Sequence, residues 1–328
     1  MKIFERFSSY NTKDGKGVKK RKITDKERYS LIGFFKTYKE KFWQILTVNF
    51  MYLMFIFPVL FAFMAYMGVT DTESTALTNV MYAPLYGAHL YSPNPGTAAL
   101  MGIYGAQTSI YTPNTVTLTF YLLSLIVLLT FGMANTGITY ILRGYTRGDA
   151  IFIWGDFFRA IKRNFISSII MGFCDILLMF ALTFSSFYYY YNVVDILGTI
   201  MFFMTFAMAV VYFMMRFYIY LLLVTFKLSP VKLIKNALIL VMLGVKRNVT
   251  AVFGIFILVA LNIVIFMFAP NIGALLPFFF VIANGAFMTC FAAYPVIKKY
   301  MIDPYYQENP DEKELEIFEE PIFLDYTE

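Results

Sequence analysis

Six stretches of this chain run for twenty or more residues with scarcely a charge. A hydrocarbon core about 30 Å thick is crossed by about 20 apolar residues of helix, rising 1.5 Å each. The stretches lie at 42–68, 116–142, 165–188, 194–226, 249–268 and 272–297. The fourth is overlong, which predicts tilt or an interfacial extension. Pro58 should kink the first. Ala269-Pro270-Asn271 should form the tight turn between the fifth and sixth, because proline ends one helix and opens the next. Charged residues make up only 15% of the chain, against about 25% in soluble domains, which excludes an ordinary soluble enzyme.

The basic residues orient these stretches. Thirteen Lys and Arg precede the first span, five lie in 143–164, five in 227–248 and three from 298 onward, with Arg216 inside a span. The three alternate connections, 69–115, around Asn192 and around Pro270, hold none. By the positive-inside rule both termini are cytoplasmic and those connections external. The expected fold is therefore an all-α membrane protein: a six-transmembrane helical bundle, N-in/C-in, of three helical hairpins with cytoplasmic amphipathic helices. The expected division is a basic N-terminal segment (1–41), a membrane domain (42–297, external loop 69–115) and an acidic cytoplasmic tail (298–328). The formal charge of +6 then reflects sidedness, with anionic lipid headgroups as its partner and no nucleic acid. The N-terminus is polar and basic for about forty residues and lacks the short apolar core of a signal peptide, so the first apolar run is expected to be retained.

Each outward span follows a similar basic junction, KEKFWQI from Lys39, IKRNFIS from Ile161 and VKRNVTA from Val245, as though three hairpins shared one plan. The stretch DFFRAIKRNF offers Asp156, Phe157, Phe158, Arg159, Lys162, Arg163 and Asn164 for docking a partner protein. The alternative is that such stretches anchor helix ends among headgroups. At the termini, KGVKKRK from Lys16 and the acidic tail either meet through opposite charge, screened beyond about 10 Å, or the first binds anionic lipid while the second stays solvated.

Charges at bilayer depth are costly and point to function. Asp175 lies ten residues into the third span and Arg216 ten residues before the cytoplasmic end of the fourth, about 15 Å deep in both cases, so they are placed to pair. The same arithmetic sets Asn49 beside Asn135 and Asn262 beside Asn284. These groups either line a polar path or bond helices together. Gly132, Ala134, Gly137, Gly254, Ala283, Gly285 and Ala286 suit close helix packing. Catalysis is not expected. His89 is the lone histidine and lies in the external loop, Cys174 and Cys290 sit in apolar runs, Asp175 and Asp195 are too far apart for a shared proton, and no phosphate-loop or dinucleotide fingerprint occurs. No cofactor or metal is called for.

The external loop contains an echo, YGAHLYSPN from Tyr86 and YGAQTSIYTPN from Tyr104. Tyr86, Tyr91, Asn94, Tyr104, Tyr111 and Asn114 would present aromatic faces and amides to a sugar or an extracellular protein, between Gly-Ala and Pro-Asn turns. The alternative is a compact lid with its tyrosines at the membrane interface.

WQILTVNFMYLMFIFPVLF, with Asn49 and Pro58, and LTFGMANTGITYILRGYTRGDAIFIWGDFFRAIKRNF from Leu129 resemble the YesL-like family of bacterial integral membrane proteins, a domain of unknown function. The resemblance runs over 37–299. It implies a bacterial plasma-membrane setting beside sugar-uptake ABC transporters, and hence an accessory subunit that meets permease or solute-binding components. The loop after Lys227 lacks the Glu-Ala-Ala coupling pattern of an importer permease. The other readings are a small-solute transporter or channel using Asp175 and Arg216, and a lipid-organising scaffold.

Overall fold

The computed structural model describes residues 25–77, 79–104, 107–193, 195–308 and 323–324. The Lys16 cluster and most of the acidic tail lie outside them. By its internal contacts the chain falls into two units, 1–42 and 43–328. The first holds a single helical turn, Asp25–Arg28, and the start of helix α1 (Leu31–Ile56). Along it Tyr38 stacks on Phe34 and meets Phe42 edge-on, at 6.0 and 5.7 Å between centroids.

Within 43–328, α1 ends at Phe57-Pro58, where proline removes a donor and clashes with the preceding turn. The chain resumes as α2 (Val59–Tyr66), bent by 60° from α1. Then come α5 (Thr115–Ser124), α6 (Val127–Arg147), α7 (Ile153–Arg163), α8 (Phe165–Asn192), α9 (Ile196–Thr225), α10 (Pro230–Leu243) and α11 (Val245–Phe268). The last long rod joins α12 (Pro270–Leu276), a π-helical turn at Pro277–Val281, α13 (Ile282–Ile297), a second π-helical turn and α14 (Asp303–Glu308). Among the described residues five helical stretches are long and apolar enough to cross a membrane, and the bent pair α1 and α2 makes a sixth if counted as one. Ala269 alone separates α11 from α12, as its neighbouring proline predicts.

The 69–115 connection, expected to be external, departs from an all-α scheme. Strand β1 (Thr72–Leu77) pairs antiparallel with β2 (Gln107–Thr112), enclosing helices α3 (Tyr82–Tyr91) and α4 (Pro95–Tyr104). A second pairing, two residues long and parallel, joins β3 (Phe226–Lys227) to β4 (Phe323–Leu324). The base of the ribbon is pinned. Buried Thr117 donates to Asp71 Oδ1 at 2.7 Å, and Asn114 donates to the Thr70 carbonyl at 2.7 Å.

Burial is unevenly spread along the spans. In α6 it is concentrated from Gly132 to Thr146, in α8 at Ser168, Met171, Gly172 and Asp175, in α9 from Tyr212 onward, and in the last rod from Ala283 to Ile297. The opposite halves of α8, α9 and α11 bury almost nothing. The hairpins therefore meet at the ends expected to face the cytoplasm.

Helices α6 and α8 approach so closely that a Cβ on Gly132 would strike the Ser168 carbonyl and the Gly172 backbone. Ser168 donates to Thr136 at 2.8 Å beside them, so small residues four apart on both helices form the contact, as in membrane small-xxx-small packing. Gly137 lies against the Phe157 ring, whereas a Cβ on Gly285 would meet nothing within 4 Å. Gly285 is thus not a packing glycine. Gly132→Ala should lower stability by about 1–3 kcal/mol through overpacking, while Gly285→Ala should leave it unchanged or raise it by roughly 0.5–1 kcal/mol through helix propensity. Unfolding of the two purified variants in SDS checks this contrast.

Candidate functional site

Four elements converge on Asp175, which is 1% exposed. Helix α9 carries Tyr212, Arg216 and Tyr220 at spacings of four, so all three lie on one face. Tyr212 donates to Asp175 Oδ1 at 2.8 Å and Tyr220 to Oδ2 at 2.9 Å. Arg216 Nε lies 2.9 Å from Oδ1 and donates to Oδ2 at 3.0 Å. The guanidinium carbon sits 5.8 Å from the centroid of the Phe131 ring on α6. Tyr52 of α1 and Asn135 of α6 border the pair. The carboxylate accepts from three donors, which is what a buried anion needs to offset desolvation. Neither tyrosine was foreseen. The i, i+4, i+8 pattern around Arg216 was the available signal.

The two asparagine pairs do not form. Asn49 instead inserts its amide into the last rod, donating to the Phe278 carbonyl and accepting from Ala283 N–H at 2.8 Å. Phe278 and Ala283 are five apart, the spacing a π-turn would bond directly. Asn49 thus bridges the backbone opening beside Pro277. Asn135 turns back on its own helix, donating to the Phe131 carbonyl at 2.8 Å. Asn284 likewise donates to Phe280, and the Oδ1 atoms of Asn262 and Asn284 are both buried without a partner. The hairpin register explains the mismatch. Gly273 abuts Phe266 and Gly254 abuts Met288, which sets Asn262 opposite the π-helical turn and Asn284 about a turn or more deeper.

Sequence reasoning also missed Arg143. Counted as a loop cation, it is 4% exposed and donates through Nη1 to the Val224 carbonyl at 3.0 Å and to Thr225 Oγ1 at 3.1 Å. It thereby caps the C-terminus of α9, where carbonyls lack intrahelical partners and the dipole favours a cation.

The amphipathic helix α7 is not a free docking element. After α6, Gly148 adopts φ +81 and closes a Schellman-type turn, with Asp149 N–H donating to the Gly144 carbonyl at 2.9 Å. The chain then folds back, bringing Ile151 to Gly144 and Phe157 to Gly137. Phe157 is fully buried and meets Phe55 at 5.2 Å; Asp156 is buried, accepting from Phe152 N–H and Arg159. These two cannot dock a partner. Phe158, Arg159, Lys162 and Arg163 are exposed, and Asn164 is half-buried with its amide on the Ala160 carbonyl. The three basic junctions are also inequivalent. Lys39 to Ile45 lies inside α1, Lys162 and Arg163 end α7, and Lys246 and Arg247 begin α11 after a break at Gly244. Asn248 there accepts from the Tyr218 hydroxyl at 2.6 Å, whereas Asn164 does nothing similar.

The tyrosine echo folds two ways. Gly87 and Ala88 are inside α3, while the second Gly-Ala lies outside the described residues and leads into β2. Tyr86 stacks on Tyr82 at 6.0 Å; Tyr91 is 94% exposed, Tyr111 is exposed on β2, and Tyr104 is half-buried at the end of α4. What the copies share is a cap. Asn94 Oδ1 accepts from Thr97 N–H at 2.8 Å, and Asn114 Oδ1 accepts from Val116 and Thr117 N–H at 2.9 and 3.1 Å, each Asn-x-x-Thr forming a capping box. His89 is held to Thr97 at 2.8 Å.

Among known proteins, residues 110–186 match a family described as a protein of unknown function, DUF624. No curated protein and no solved structure matches the chain. The matched segment runs from β2 through α6 and α7 into α8, and so includes the Gly132–Gly172 contact, the fold-back of α7 and Asp175.

Proposed function

We propose that the chain crosses a bacterial plasma membrane six times with both termini cytoplasmic, and that it acts without catalysis as an accessory subunit of a carbohydrate ABC importer. The importer follows from the resemblance to the YesL-like family. The observation that carries the docking role is the way α7 is held. Phe157 and Asp156 are fixed in the interior, so Trp154, Phe158 and Arg159 stand exposed on a helix whose orientation is already set. Preorganisation of this kind lowers the entropy cost of association, and Trp and Arg are the residue types that anchor interfaces. Lys162 and Arg163 extend the same face toward anionic headgroups. On the other side of the membrane, Tyr91 and Tyr111 are available to a solute-binding subunit. The consumption of Asp175 by its own chain supports a structural use of the buried polar groups.

Affinity purification from the native host should recover permease or solute-binding subunits. The double variant Trp154→Glu, Lys162→Glu, at two exposed positions of that face, should bind them roughly 30-fold more weakly, as expected for loss of a hot spot of about 2 kcal/mol, with its unfolding unchanged. Recovery of the wild-type chain alone in mild detergent would count against the reading.

A further inference from the structure

We propose that the terminal edge of Arg216 binds the oxyanion head of an amphiphile, a carboxylate or phosphate ester carried on an apolar chain. A guanidinium has five N–H donors. Here Nε–H is directed to Asp175, neither terminal nitrogen bonds any group among the described residues, and the side chain is 21% exposed. The neighbouring Tyr52 is a neutral hydroxyl and supplies no counter-charge to that edge. Asp175 is 1% exposed and already accepts from Tyr212, Tyr220 and Arg216, and the Asn135 amide is turned to the Phe131 carbonyl. The unused capacity of the cluster is therefore for donation, and a ligand must supply acceptors. Two parallel N–H groups on a planar edge fit the paired oxygens of a carboxylate or phosphate.

Position selects the rest of the ligand. Arg216 lies nine residues before Thr225, the end of α9, or about 14 Å along the helix. It stands where the packed half of the bundle gives way to the loosely packed half. Beyond it toward Ile196, and beyond Asp175 toward Asn192, the side chains are mostly exposed or half-buried and largely apolar, among them the exposed Phe180, Phe206 and Met208. An apolar chain lying along these residues would bring its head to the guanidinium. The site is separate from the outer face of α7 and holds whether or not that face docks an importer.

The test is a thermal titration of the purified chain in dodecyl maltoside with dodecyl phosphate, inorganic phosphate or dodecanol. Dodecyl phosphate should give a saturable rise of roughly 5 °C at a hundred times its Kd. Arg216→Lys, which keeps the charge and loses the planar edge, should weaken it at least ten-fold, a margin of about 1.4 kcal/mol. An equal effect of dodecanol overturns the oxyanion. Equal affinity for inorganic phosphate shows a free anion as the source and overturns the amphiphile. A second measurement needs no variant. A photoactivatable dodecyl phosphate should label α8 and α9 between Asp175 and Arg216 and their external ends, and be displaced by excess dodecyl phosphate. Labelling spread evenly over all helices overturns the site.

Discussion

Asp175→Ala is expected to be the most damaging single substitution in the membrane part of the chain, lowering stability by roughly 3–5 kcal/mol. The loss arises less from the missing attraction than from what remains. Arg216 would keep its charge at bilayer depth with no counter-charge, and the Tyr212 and Tyr220 hydroxyls would lose the acceptor to which both are directed. The double variant Asp175→Leu, Arg216→Met should recover most of the loss, because a buried pair exchanged for apolar residues of similar volume is often neutral or better. SDS unfolding of both variants decides it. A double variant no more stable than the single would show that the damage lies elsewhere. Singly changed proteins that unfold like the wild type but lose solute flux in vesicles would favour a transport path over an interhelical bond.

Asn49→Leu should follow, at roughly 2–4 kcal/mol. Leucine is close to asparagine in size, so packing is nearly kept and the loss falls on two backbone groups. The Phe278 carbonyl and the Ala283 N–H would face each other across an opened turn with nothing between them. In lipid no water stands ready to replace the amide. Hydrogen exchange at Ala283 gives the direct readout: slow in the wild type and at least ten-fold faster in Asn49→Leu, since about 1.4 kcal/mol of local stability is a factor of ten. An unchanged rate would mean that the π-turn closes on itself and that Asn49 is dispensable.

These two sites differ in how far they could be read from residues alone. Asp175 and Arg216 were placed by counting from the cytoplasmic edges, which works because both lie on regular helices joined by a short connection. Counting failed for Asn49, whose partners are main-chain atoms exposed by a π-turn, and a backbone acceptor has no signature in side-chain pattern. It failed for Asn262 and Asn284 because the rod containing Asn284 continues to Glu308, so the edge from which the depth was measured is not where the helix ends. The amphipathic pattern of α7 was legible. Its apolar face was read as open to a partner protein or to headgroups, whereas the Gly148 turn folds it onto α6 and buries Phe157 at Gly137. The tyrosine echo misled because matching letters lie in a helix in one copy and a strand in the other. The capping asparagines were its one shared physical content.

The uneven burial along the spans carries a mechanical consequence. Where few side chains interlock, the free energy to open locally is small, so the loosely packed ends of the long helices can separate or close without disturbing the knot of Gly132, Gly172 and Tyr218 beneath them. A thinner or thicker bilayer would be accommodated by the splay of those ends, leaving the packed end, with α7 folded against it, almost stationary.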